Sequence, residues 1–208
     1  MKLYGSPLSP FARKVRIVLA EKKIDCDTEW VDVMAPDTPV NQRNPLGKVP
    51  ALVLDDNTSL YDSRVIVEFL DNVSPISRLI PDENRDRIAV RRWEALADGV
   101  VDAGILIRYE SLRDKNEQSG AWVARQMGKL ERGLGAMSIE LGDKPWCHGN
   151  GYTLADIATG CCLGWLDFRK PGGAEWRSKY PNLVKHFDKL MERPSFHETV
   201  PKLPQATK

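Results

Sequence analysis

The chain has 208 residues, 42% hydrophobic and 28% charged, with a formal net charge of +1 from 30 basic and 29 acidic side chains. That length holds one large domain or two small ones, and so balanced a charge excludes nucleic acid or an acidic membrane as an electrostatically driven partner. No apolar run approaches the ~20 residues of a membrane span, and Met1-Lys2-Leu3-Tyr4-Gly5-Ser6-Pro7 turns polar too soon for a signal peptide, so a cytoplasmic location is expected.

Residues 2–5 read as a brief strand, and residues 11–23 then show helical spacing at Phe11, Val15, Val18 and Leu19. Ser9-Pro10 marks the start of that helix, serine being a favoured N-cap and proline a favoured first residue. The simple role for Ser9 is that of a cap. The first turn, however, lacks the acidic residues a helix dipole favours and carries Arg13 and Lys14 instead. A positive helix end with a hydroxyl at its tip suits an anion such as a thiolate.

Residues 29–33 read as a second strand, and residues 36–44, polar and interrupted by proline, as a loop or weak helix. In Asn44-Pro45-Leu46-Gly47-Lys48-Val49-Pro50, two prolines and a glycine fix an extended, turned backbone. Val49-Pro50 is a candidate cis peptide that would aim the Val49 N–H and C=O at a ligand; the alternative is an ordinary loop entering a strand. Strands at 51–54 and 59–61 flank the hairpin residues Asp55-Asp56-Asn57. Tyr61-Asp62-Ser63-Arg64 opens a helix that continues through Ile66, Phe69, Leu70 and Val73. Asp62 or Ser63 would cap it, and the free backbone N–H groups together with the Asp62 carboxylate would also suit an α-amino-acid head. The order β-α-β-α-β-β-α describes an α/β domain with a mixed sheet.

After Ser74-Pro75-Ile76-Ser77 and Pro81 the strand signal disappears. Residues 88–113 form one long helical pattern, with Gly99 and Gly104 as places for a kink. Residues 120–141 carry Met127, Leu130, Leu134, Met137 and Leu141 at steps of three and four. Residues 154–168 are apolar nearly all round, the mark of a buried helix, and open with a capping box, Thr153/Asp156, onto which Tyr152 and Ile157 add a staple. That is a folding signal. Leu183, Phe187, Leu190 and Met191 make a last helix before a tail at 201–208. Cys26, Cys147, Cys161 and Cys162 lack metal-ligand spacing, so no metal is expected and the thiols are read as reduced.

In this order and spacing the motifs resemble the cytosolic glutathione S-transferase superfamily, from Met1 to about Val200. Ser9-Pro10-Phe11-Ala12-Arg13-Lys14-Val15-Arg16 looks like the serine-type classes, closest to tau-like and bacterial members. Asn44 to Pro50 is similar to the family's cis-proline motif, with Asp62-Ser63 like its acidic-Ser pair, Asp standing where many members have Glu. The resemblance implies a thioredoxin-like N-terminal domain with a mixed four-stranded sheet (1–76), a helical C-terminal domain carrying the electrophile site (82–200) and a tail (201–208). It implies that Ser9 meets the glutathione sulfur, with Ser6 as the other candidate, and that Lys48 reaches the glycyl carboxylate. Val49 would pair with the cysteinyl backbone beside a cis Pro50, and Asp62 and Ser63 would hold the γ-glutamyl end. The electrophile would lie between the domains, against Phe11. The expected activity is conjugation of glutathione, as co-substrate, to small electrophiles, with peroxidase activity as a companion, in a homodimer. The alternatives are a non-catalytic stress or transcription-associated adaptor of the same fold, and a thiol transferase or dehydroascorbate reductase. The last has serine at position 9 against it, where those relatives carry cysteine.

Overall fold

Four short strands, β1 (Lys2–Gly5), β2 (Asp27–Trp30), β3 (Ala51–Val53) and β4 (Ser59–Leu60), build one mixed sheet in the order β2-β1-β3-β4 in the computed structural model, which describes residues 1–201. β1 runs parallel to β2, from Lys2 opposite Asp27 to Gly5 opposite Trp30. A parallel pair needs a crossover, and α1 (Pro10–Glu21) supplies it. β3 lies antiparallel to β1, with Tyr4 opposite Ala51, and β4 antiparallel to β3, with Leu52 opposite Leu60. Leu3, Val15, Val18 and Leu52 are fully buried together with Ile66 and Leu70 of α2 (Ser63–Val73), so sheet and helices close one core. This is the thioredoxin-like arrangement expected. β2 lies at 27–30, two residues before the expected position: it is an edge strand whose polar residues give no hydrophobic alternation. The proline-interrupted stretch holds a single 3-10 turn, Pro39–Gln42.

A buried ion pair closes this unit. The Lys22 ammonium donates to Asp71 Oδ1 at 3.0 Å, to the Ser77 carbonyl at 3.2 Å and to the Ile76 carbonyl. Three donors meet three acceptors, which is what a buried ammonium requires. Asp71 Oδ1 also accepts the Leu79 N–H at 2.9 Å, and Ser74 Oγ donates to the Lys22 carbonyl at 3.0 Å. The segment 74–79 is thereby fastened to the sheet domain.

The second unit spans Ile80–Glu192 and is helical: α3 (Asn84–Ser111), α4 (Gly120–Leu141), α5 (Leu154–Arg169) and α6 (Pro181–Met191). α3 is one continuous helix of 28 residues. Gly104 marks close packing: a Cβ there would stand 2.6 Å from the Trp165 ring of α5. Gly133 of α4 meets the Val100 side chain of α3 in the same way. Leu130 and Leu134 are buried. Every residue of α5 from Leu154 to Leu166 is buried. Its capping box is formed: Asp156 Oδ2 accepts the Thr153 N–H at 2.8 Å and Thr153 Oγ1 accepts the Ala155 N–H at 3.3 Å. Asp156 Oδ1 further accepts the Cys147 N–H at 2.8 Å, tying the preceding loop to the helix start.

From Arg193 the chain rejoins the first unit. Arg193 grips Glu21 through Nε at 2.9 Å and Nη2 at 2.7 Å, and Ser195 Oγ donates to the same carboxylate at 2.6 Å. After α7 (Pro194–His197), buried Arg13 donates from Nη2 to the Phe196 carbonyl at 3.0 Å and from Nε to Thr199 Oγ1 at 3.3 Å. Residues 193–200, placed with the helical domain on sequence grounds, therefore pack with the sheet domain, because charged partners on α1 await them. Of the expected tail, residues 202–208 lie outside the described residues.

Two outcomes are expected. Loss of an N-cap costs about 0.5–2 kcal/mol, so Thr153→Ala should lower the melting temperature while leaving the sheet domain's ligand affinity unchanged; a melting curve superimposable on wild type would remove the cap from the fold's requirements. Cys147, Cys161 and Cys162 are buried and Cys26 is partly exposed, and burial pushes the Cys147 and Cys162 thiols upward. A chromogenic disulfide reagent should therefore titrate one thiol in the native chain, removed by Cys26→Ser, and four after unfolding. A rapid second thiol would contradict this burial.

Candidate functional site

Strand direction decides where the candidate residues meet. Ser6 and Ser9 follow the C-terminal end of β1. Because β3 is antiparallel to β1, Val49 and Pro50 enter β3 at that same end. Because β4 is antiparallel to β3, it delivers Asp62 and Ser63 there too. Ser9, Val49, Pro50, Asp62 and Ser63 share one end of the sheet. Cys26 precedes Asp27, which pairs with Lys2 at the opposite end. No cysteine among the described residues takes the place a mixed-disulfide nucleophile would need.

Ser9 is the N-cap of α1: its Oγ accepts the Ala12 N–H at 3.2 Å. A hydroxyl has one proton and two lone pairs. Capping uses a lone pair, so the proton remains available as a donor. The cap and the donor to an anion are compatible roles. Ser6 Oγ accepts the Leu8 N–H at 3.4 Å and its carbonyl accepts the Ser9 N–H at 3.0 Å, which orders the turn leading to the cap. Pro10 occupies the first helical position, and no acidic residue lies in the first turn. The sequence reading gave Arg13 and Lys14 to this positive end; both are in fact buried. Arg13 serves residues 196–199, and Lys14 Nζ lies 5.9 Å from the Phe11 ring centroid. The helix terminus itself is left as the positive feature facing the site. Phe11 is half-buried in the first turn.

The second segment is held by a side chain that the motif reading passed over. Buried Asn44 donates from Nδ2 to the Lys48 carbonyl at 2.8 Å, and its Oδ1 accepts the Leu46 N–H at 3.0 Å. Gly47 sits at φ +62°, and a Cβ there would stand 2.9 Å from Asn41 Oδ1, so glycine is favoured. The Val49–Pro50 peptide is cis. Val49 lies beyond the last ladder pair, Tyr4 with Ala51, so β1 does not take up its N–H and C=O. Lys48 is exposed beside it. The only sequence signal for Asn44 was its place before a proline.

At the third segment Asp62 caps α2, its Oδ1 accepting the Arg64 N–H at 2.9 Å. The Asp62 carbonyl accepts the Val65 and Ile66 N–H groups. The side chain is exposed, which leaves Oδ2 toward solvent for a cation, while Ser63 is buried in the first turn. A capped helix start with an exposed carboxylate offers partners to both charges of an amino-acid head.

The fold recurs in known proteins. Residues 3–77 match the family Glutathione S-transferase, N-terminal domain, and residues 120–189 match Glutathione S-transferase, C-terminal domain. The uncharacterized GST-like protein YibF of Escherichia coli K12 is 38% identical over 205 residues, 97% of this chain and 98% of that one. The crystal structure of a glutathione S-transferase from Methylobacillus flagellatus KT with GSH bound is 49% identical, with a TM-score of 0.94 over 97% of this chain and 99% of that one. A second, from Methylobacterium radiotolerans in complex with glutathione sulfonate, is 39% identical, with a TM-score of 0.93 over 100% of this chain and 97% of that one.

Proposed function

Because this chain belongs to the glutathione S-transferase superfamily, we propose that its first unit binds glutathione and that Ser9 holds the sulfur as a thiolate for attack on small electrophiles. The observation that carries this reading is the Ser9 hydroxyl, whose lone pair is committed to Ala12 and whose proton is not. It stands at the positive end of α1, at the sheet end shared with Val49 and Asp62.

The chemistry follows from those positions. A free thiol has a pKa of about 8.5 and is mostly protonated at neutral pH. A hydrogen bond to a charged acceptor contributes roughly 1.5–3 kcal/mol, or about one to two pKa units. Ser9 therefore needs only to favour the charged form, and the proton leaves to solvent without a dedicated base. Val49 would pair its N–H and C=O with the cysteinyl backbone as a neighbouring strand would. Asp62 would accept from the γ-glutamyl ammonium, and the Ser63 N–H would meet the carboxylate beside it. Lys48 would reach the glycyl carboxylate. Phe11, in the first turn of the helix that Ser9 caps, would offer its ring to an apolar electrophile. The same thiolate would attack a peroxide oxygen, forming an S–O bond as the O–O bond breaks, to give glutathione sulfenic acid and an alcohol or water. The mixed-disulfide alternative lacks its nucleophile, since Cys26 belongs to the far end of the sheet.

Two variants test the reading. Ser9→Gly removes the hydroxyl while keeping an acceptable N-cap, at only a few tenths of a kcal/mol. It should still bind glutathione, but the bound thiol's pKa should rise by about one to two units. Conjugation at neutral pH should fall roughly ten- to a hundredfold, and part of the rate should return as pH increases. The readout is thiolate absorbance of the glutathione complex against pH; identical titrations with full activity would leave Ser9 a cap alone and point to Ser6. Asp62→Ala should instead weaken glutathione binding by about 1–3 kcal/mol, raising KM with little change in kcat at saturation. An unchanged KM would take Asp62 out of the site.

A further inference from the structure

The helical unit contains a cluster that the glutathione site does not use and that shares with the capping box only its carboxylate, Asp156. Cys147, in the loop before α5, brings its Sγ to 3.5 Å from Nε2 of His186 in the middle of α6. The same Nε2 lies 3.3 Å from Oδ1 of Asp156 in the first turn of α5. The three ligand atoms all fall within 4.8 Å of one another. Asp156 and His186 stand 9 and 39 residues from Cys147, which is why no spacing in the sequence betrayed them. From these residues we propose a binding site for a divalent transition-metal ion of the zinc type, formed by Cys147 Sγ, Asp156 Oδ1 and His186 Nε2.

The distances are those that ligation requires. With metal–ligand bonds of about 2.0–2.3 Å, the ligand atoms of a tetrahedral zinc stand about 3.3–3.6 Å apart. The two measured separations, 3.3 and 3.5 Å, fall in that interval. As an N–H···O bond the His186–Asp156 pair is longer than the usual ~2.7–3.2 Å.

Charge and ligand type agree. A thiolate and a carboxylate together bring two negative charges, which one divalent cation neutralises; a neutral site can be buried where an unbalanced one cannot. Burial here is nearly complete, with exposures of 1% for Cys147, 0% for Asp156 and 4% for His186. A thiolate and an imidazole select zinc or cobalt over magnesium or calcium.

The supporting shell is also in place. Asp156 Oδ2 is held by Thr153, and Oδ1 accepts the Cys147 N–H, leaving that oxygen a second lone pair. The Trp146 ring packs edge-on against His186, with centroids 6.4 Å apart. Thr159 Oγ1 lies 3.6 Å from Cys147 Sγ, and a water or this hydroxyl would supply the fourth ligand. On binding, the Cys147 S–H bond breaks, its proton goes to solvent and a metal–sulfur bond forms; neutral His186 donates its Nε2 lone pair. The ion would join the 147 loop, the start of α5 and α6 around the capping box.

The test is to produce the full chain in medium with cobalt as the supplied transition metal, so that the ion is present as the protein folds. Cobalt content and the thiolate-to-cobalt charge-transfer absorption are then measured. One cobalt per chain is expected, with the absorption lost in Cys147→Ser and in His186→Gln, retained in Cys26→Ser, and displaced by zinc. Circular dichroism of each variant checks its fold. A cobalt-free wild-type protein overturns the proposal by itself, as does absorption that survives Cys147→Ser or disappears with Cys26→Ser. The last pattern would mean adventitious binding at the partly exposed thiol.

Discussion

The direction of β1 relative to its two neighbours is the constraint on which the rest of the first unit depends. Parallel pairing with β2 forces the chain through a crossover helix, so α1 must begin where β1 ends. Antiparallel pairing with β3 brings a turn back to that end, and antiparallel β4 brings the start of α2. One helix terminus, one unpaired stretch of backbone and a second helix terminus converge with no side chain having to reach across the sheet. The polar groups there are mostly main-chain N–H and C=O groups that the ladder and the helices leave over. On the proposed reading, a peptide would be recognised there by the same hydrogen bonds that otherwise extend secondary structure.

Short-range chemistry was readable in the sequence, and long-range charge was not. Ser9-Pro10 announced the start of α1, Thr153 with Asp156 announced α5, and Asp55-Asp56-Asn57 announced the hairpin, because each acts over three or four residues. β2 escaped because an edge strand with polar residues carries no alternation. Gly104 looked like a place for a kink, since propensity is local and the Trp165 side chain that needs its space lies on another element. Arg13, Lys22 and Glu21 carry no local signal of burial. Each has its partner more than forty residues away, and a charged residue is buried only when so paired. At the candidate site the residues proposed to meet the ligand stood in motifs, whereas the role of Asn44 in shaping the turn behind them was not legible.

Two carboxylates perform parallel tasks in the two units. Asp71 binds an ammonium and a backbone N–H to fix the segment leaving the sheet domain. Asp156 binds two backbone N–H groups to fix the loop entering the central helix. Both are buried, and both organise chain that has no regular structure of its own. Replacing either by an apolar residue would leave several donors unsatisfied at once, so a single carboxylate accounts for the conformation of a whole loop.

The return of the chain to Glu21 and Arg13 has a consequence for synthesis on the ribosome. The helical unit is contiguous, from Ile80 to Glu192, whereas the sheet domain is interrupted by it. Translation delivers every residue of the helical unit before it delivers Arg193, Phe196 and Thr199. Until then Arg13 and Glu21 are without these partners on the nascent chain. The domain whose translation starts first is the one whose set of native contacts is completed last.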